Sequence, residues 1–148
     1  MTLLGIYPGV EAPEIEANTL AGTPFKLSAL RGKIVLVDFW ATWCGPCVAE
    51  LPNVRKLYEE YHAAGLEVVS ISIDQNAGAI RKFLAKQPIP WPQIWAENGV
   101  KAPLSQRYGV TSVPATFLVG PDGRVRAKDL RGDELANLIE KEIAKQKR

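Results

Sequence analysis

Cys44 and Cys47 stand three residues apart with Gly45 and Pro46 between them, and the 148-residue chain has no other cysteine. A pair this close cannot staple distant segments, so it is not a disulfide scaffold. With a single histidine, His62, the chain also lacks the ligands for a four-coordinate structural zinc site. Dithiol chemistry remains. Pro46 suits the first turn of a helix, which places Cys44 at or just before a helix N-terminus. Free N–H groups and the helix dipole favour a thiolate there, and the thiolate is the attacking species in disulfide exchange. Cys47, one turn further in, is placed to attack a mixed disulfide formed at Cys44.

Two acids flank the pair. Asp38 interrupts the apolar run from Ile34 to Trp40, where a lone buried carboxylate costs several kcal/mol unless it is paired or stays protonated. Lying directly behind the dithiol, it reads as a proton acceptor for Cys47; the plainer alternative is a strand-end acid bonded to backbone. Glu50 follows Cys47 by three residues and shares its helical face. Spacing alone leaves two roles open for it, a proton relay to Cys47 or an exposed first-turn acid favoured by the dipole. Val113-Pro114 opens a later strand, an unusual place for proline unless it holds a special turn. Trp40 and Trp43 read as core or shield, and Trp91 and Trp95 as either groove lining or packing. His62 reads as solvent-facing.

The elements that must position these groups follow from periodicity. Residues 1–12 read as an irregular lead-in. Polar-apolar alternation from Glu14 to Asn18, a turn over Leu20–Pro24 and a return through Phe25–Leu27 predict a hairpin. Ser28 is expected to cap one helical turn that Gly32 ends. Ile34–Trp40 and Leu66–Ile73 are nearly continuous apolar runs, as in sheet strands covered on both faces. Between them Leu51, Val54, Tyr58 and Tyr61 mark one face of a helix, with Pro52 predicting a kink and Gly65 its end. Asp74–Asn76 reads as a loop and Ala77–Gln87 as a helix with Ile80, Phe83 and Leu84 inward. After Pro88, Pro90 and Pro92 come a short strand at Gln93–Trp95 and one helical turn at Leu104–Tyr108. A hairpin of Ala115–Val119 and Arg124–Lys128 turns at Gly120–Gly123. A last helix, Gly132–Lys145, turns Leu135, Leu138, Ile139 and Ile143 to one side.

Composition narrows the function. At 47% hydrophobic and 23% charged residues the chain, 1–148, is expected to form one domain with a substantial core. A net charge of +2 leaves no electrostatic footprint for nucleic acid or an anionic membrane. The only basic cluster, Lys141, Lys145, Lys147 and Arg148, reads as a solvated helix end. No stretch approaches the length of a membrane span, and the first residues carry no signal-peptide pattern. Read alone, that pattern fits a cytoplasmic protein or an excised mature domain.

The segment Val37-Asp38-Phe39-Trp40-Ala41-Thr42-Trp43-Cys44-Gly45-Pro46-Cys47 closely resembles the active-site segment of thioredoxins. Ala12-Pro13, the Leu27–Lys33 stretch, Glu50-x-Pro52 and an insertion between about Gln75 and Pro103 are similar to the TlpA/ResA/DsbE-like branch. The resemblance implies an α/β thioredoxin fold, a central mixed sheet flanked by helices, with an N-terminal β-hairpin and a central insertion. It implies a monomeric thiol–disulfide oxidoreductase, working as a reductase, the alternative being a disulfide-oxidising member of the same fold, with Cys44 as nucleophile and Cys47 as resolving thiol. Asp38 and Glu50 would handle the proton at Cys47. Trp43, Gly45, Pro46, Val113 and Pro114 would meet substrate, Pro114 matching a cis-proline that faces the dithiol and Val113 bonding an incoming strand. No metal or organic cofactor is implied. The expected partners are protein disulfides and an upstream redox donor, and the implied location is extracytoplasmic, in a bacterial periplasm or on a membrane tether. Two departures stand out: Asp38 where many members of the branch have Asn, and Ser70 where thioredoxins place a lysine near that acid. Two other readings are a peroxidase, which would want threonine at Ala41, and a binding module or chaperone that uses the groove without redox chemistry.

Overall fold

The computed structural model describes residues 5–146. Glu16–Asn18 (β1) and Pro24–Lys26 (β2) pair antiparallel across a turn in which the Thr19 N–H donates to the Thr23 carbonyl at 2.8 Å. A 3-10 turn over Leu27–Leu30 follows. Ser28 does not cap it: the turn already starts at Leu27, and the Ser28 N–H donates instead to Glu14 Oε1. This hairpin forms a separate two-stranded sheet.

Ile34–Trp40 (β3) leads into the helix Gly45–Tyr61 (α1), and Leu66–Ser72 (β4) returns parallel to β3. The helix continues through Pro52, and Gly65, at φ 117°, closes the 3-10 turn that follows it. Leu57 is buried beside Leu51 and Val54, while Tyr58 and Tyr61 lie at the half-buried margin of that face. Asn76 caps Ala77–Lys86 (α2) by accepting from the Ala79 N–H. Gln93–Trp95 (β5) then joins β4 in parallel, so the strand on that side of the sheet comes from the insertion and not from the N-terminal hairpin. Pro103–Arg107 (α3) leads to the antiparallel pair Ala115–Val119 (β6) and Val125–Lys128 (β7), and Gly132–Gln146 (α4) finishes the described chain. The five-stranded sheet runs β5-β4-β3-β6-β7.

The lead-in is less irregular than the sequence suggests. Gly9 and Val10 exchange backbone hydrogen bonds with Val125, which lays residues 9–12 along β7. The basic pair Lys147–Arg148 of the tail lies outside the described residues.

Successive strand residues point to opposite faces. Val35, Val37, Phe39, Val69 and Ile71 pack against Ile15, Leu27 and Tyr108 on one side. Ile34, Leu36, Leu66 and Val68 meet Leu51, Val54 and Leu57 of α1 and Leu135, Ile139 and Ile143 of α4 on the other. Glu142 is also buried in the α4 face, where Arg126 and Lys145 each approach its carboxylate at 3.2 Å. Asp38 shares its face with Ile34 and Leu36, and so lies under α1.

Candidate active site

Cys44 is the N-cap of α1, and its Sγ accepts the Cys47 N–H at 3.2 Å. The two sulfurs are joined as a disulfide with the Cα atoms 5.3 Å apart. On reduction the Cys44 sulfur stands where a thiolate would receive that same N–H at the positive end of the helix dipole. Both cysteines are nearly buried, whereas Trp43 beside them is 64% exposed and Gly45 and Pro46 are also exposed. The dithiol therefore meets solvent beneath an apolar, accessible rim.

Behind it lies a cavity of about 240 Å³ lined by Asp38, Cys47, Glu50, Pro46 and Pro114 among others. Tertiary packing thus brings together five of the residues expected at the site. Val113 packs with Trp40, Ala41, Cys44 and Cys47, and the Val113–Pro114 peptide bond is cis.

Asp38 is the one residue of β3 that is not fully buried, because it opens onto this cavity. Removal of water pushes its pKa up to about 7; the Ser70 hydroxyl opposes the rise, and the nearby Glu50 charge adds to it. Ser70 Oγ donates to Asp38 Oδ2 at 3.2 Å, in register on the neighbouring strand. The serine that replaces the expected lysine therefore meets the acid directly.

Glu50 is held from two sides. Its Oε2 accepts the Gly132 N–H at 2.9 Å and the Asn53 side-chain amide at 2.9 Å. The carboxylate therefore lies at the N-terminus of α4, where a negative charge is favoured. Glu50 thus borders the dithiol cavity and anchors a second helix; half-buried and past the first turn of α1, it is not the exposed first-turn acid.

The structure adds residues that sequence reasoning did not single out. Thr116, Asp129, Leu130 and Arg131 complete the cavity wall opposite α1, brought there by the β6–β7 pairing and the start of α4. Asp74, read as part of a loop, is 2% exposed. Its carboxylate accepts from the Thr42 N–H, the Thr42 hydroxyl and the Ser72 hydroxyl, which fastens the loop just before Cys44. The Ser72-x-Asp74 pattern at a strand end was the only available signal, and it does not identify a partner 32 residues away. Trp91 is buried and donates Nε1–H to Ser70 Oγ at 2.8 Å; Trp95 donates to the Asp74 carbonyl. Trp91 packs the interior, whereas Trp95 is half-buried against the cluster that holds Cys44 and Cys47. His62 is exposed, as expected. Among the described residues no three His, Cys, Asp or Glu side chains converge on a possible metal position.

Residues 8–128 match the AhpC/TSA family model. The thiol–disulfide oxidoreductase ResA of Bacillus thuringiensis subsp. konkukian is 30% identical over 137 residues, covering 93% of this chain and 77% of that protein. This chain belongs to the thioredoxin superfamily, in its ResA-like group. Among solved structures, the thioredoxin domain of a thiol–disulfide oxidoreductase from Bacteroides vulgatus superposes with a TM-score of 0.85 at 31% identity, covering 93% of this chain and 98% of that one. A thiol:disulfide interchange protein from Bacteroides sp. gives 0.83 at 32% identity, covering 94% and 91%. This membership accounts for the mixed sheet, the hairpin outside it and the Cys-Gly-Pro-Cys helix start, and it makes the protein a thiol–disulfide oxidoreductase.

Proposed function

We propose that the protein reduces disulfides in other proteins. The carrying observation is an exposed rim beside a helix-capping cysteine, joined to a second cysteine that shares one cavity with a carboxylic acid whose pKa is raised to about 7. Cys44 thiolate attacks a substrate sulfur, forming a mixed disulfide and releasing the other substrate sulfur as thiolate. The Cys47 proton then passes to Asp38, and Cys47 Sγ attacks Cys44 Sγ. The Cys44–Cys47 bond forms, the bond to substrate breaks, and its electron pair leaves with the second substrate thiolate. Two electrons and, after protonation, two protons have moved to substrate, and a dithiol donor must restore the reduced pair. A base whose pKa lies near the working pH suits this transfer. Trp43, Gly45, Pro46 and the backbone at Val113–Pro114 form the rim that would hold an extended substrate segment, and Glu50 tunes Asp38 by its charge.

Operation outside the cytoplasm is part of this proposal and rests on the resemblance to the TlpA/ResA/DsbE-like branch; among the described residues no helix is long and apolar enough to cross a membrane. At the position where the peroxidase reading wants a threonine, Ala41 is fully buried and offers no hydroxyl.

The test combines a potential with a trap. A Cys44–Cys47 potential near the thioredoxin value of about −270 mV supports reduction, whereas one near about −120 mV makes the protein an oxidant. Cys47→Ser should accumulate a mixed disulfide with a protein substrate, and Cys44→Ser should abolish exchange. Full activity in Cys44→Ser defeats the assignment, and the lack of a reversible two-electron couple favours a binding module instead.

A further inference from the structure

A polar row crosses the sheet beneath the dithiol. Gln93 of β5, Ser70 of β4, Asp38 of β3 and Thr116 of β6 stand side by side in register across the sheet. Within it the hydrogen bonds have a fixed direction. An indole N–H can only donate, so at 2.8 Å the Trp91 ring must give its hydrogen to Ser70 Oγ. The Ser70 hydrogen is thereby turned away from Trp91 and toward Asp38 Oδ2, 3.2 Å distant. Ser70 is 1% exposed and Trp91 2%, so water does not compete for either bond. Asp38 Oδ1 has no hydrogen-bond partner among the described residues, and the side chain borders the cavity that holds Cys47.

We infer that Trp91 and Ser70 are positioning residues for the proton transfer. Their directed Trp91→Ser70→Asp38 chain holds Oδ2 as a permanent acceptor and leaves Oδ1 as the oxygen that exchanges a proton with Cys47. The inference rests on the reading of Asp38 as the proton acceptor. The other titratable or charged groups around Asp38 are Cys47 and Glu50 on α1 and Asp129 and Arg131 between β7 and α4; β4 and β6 present only the hydroxyls of Ser70 and Thr116. No cation faces Asp38 from β4, so the serine proton is what supports its charged form there. The opposing effect of Ser70 on the rise in the Asp38 pKa agrees with this geometry.

The kinetic test reacts the reduced protein with dithionitrobenzoate and follows release of the second thionitrobenzoate, the step in which Cys47 attacks the Cys44 mixed disulfide. Losing one hydrogen bond to a charged group should move the acid limb of the rate profile up by about one pH in Ser70→Ala. That is about a fivefold loss at pH 7, recovered by about pH 9. Trp91→Phe, which keeps the ring and removes the donor, should move the limb the same way by less. In Asp38→Asn the added Ser70→Ala change should leave the profile where Asp38→Asn put it. An unaltered profile in Asp38→Asn itself overturns the underlying reading of Asp38. An altered profile there with an unmoved limb in Ser70→Ala overturns this inference alone, as does a loss in Ser70→Ala that is equal at every pH. If either variant folds too poorly for kinetics, infrared difference spectra of the oxidised protein against Asp38→Asn decide the matter. The Asp38 carboxyl band should titrate at higher pH in the remaining variant, and an unmoved band refutes the chain.

Discussion

Asp38→Asn should reshape the dependence of stability on pH, and the size of the change follows from the site. In the unfolded chain Asp38 titrates near its ordinary 3.8, and in the fold near 7. Between these values the native state binds the proton more tightly, so native stability falls as pH rises from about 4 to about 7 and then levels off. At 1.36 kcal/mol for each pH of separation, the fold loses about 4 kcal/mol over that window on account of this one acid. The asparagine variant cannot titrate there. Its stability relative to the parent should therefore rise by about 4 kcal/mol between pH 4 and pH 8, whatever constant offset the buried amide introduces. Urea unfolding of both oxidised proteins at half-unit pH steps measures this, because the disulfide removes both cysteines from the titration. Parallel curves would show that Asp38 titrates as a solvated carboxylate and would remove the physical basis of its assigned role.

Glu50→Gln should act in two separable ways. Removing its charge relieves a contribution that raises the Asp38 pKa, so the acid limb of exchange should move to lower pH. Stopped-flow thiol exchange across pH checks this, and a limb that stays in place counts against coupling of the two acids. The neutral amide also weakens the charged acceptor for the Gly132 N–H at the start of α4, which should cost about 1 kcal/mol in chemical denaturation. Asp74→Asn places an amide where three donors converge from Thr42 and Ser72. It should destabilise by about 1–3 kcal/mol and slow attack by Cys44 through a looser Thr42–Trp43 loop, measured by denaturation and single-turnover exchange; unchanged values in both would show the anchor to be dispensable.

The chemistry of Cys44 and Cys47 was legible in the sequence because it is local: a helix start, a proline and a three-residue spacing place the sulfurs without help from distant residues. The strands β3, β4 and β6 were legible for a related reason, since apolar runs of that length have few alternatives to a covered sheet. Asp38 stood out by violating such a run. Its partners did not, because pairing register is set by the whole sheet: Ser70 meets Asp38 from 32 residues away, and Trp91 reaches Ser70 from a proline-rich stretch with no periodicity. Likewise, Glu50 lies on a readable helical face, but its bond to Gly132 spans 82 residues and exists only once α4 packs beside α1. The sequence by itself therefore determined the reacting pair and the frame that carries it. Tertiary structure alone decided what surrounds Asp38, where desolvation raises its pKa and the Ser70 hydroxyl opposes the rise.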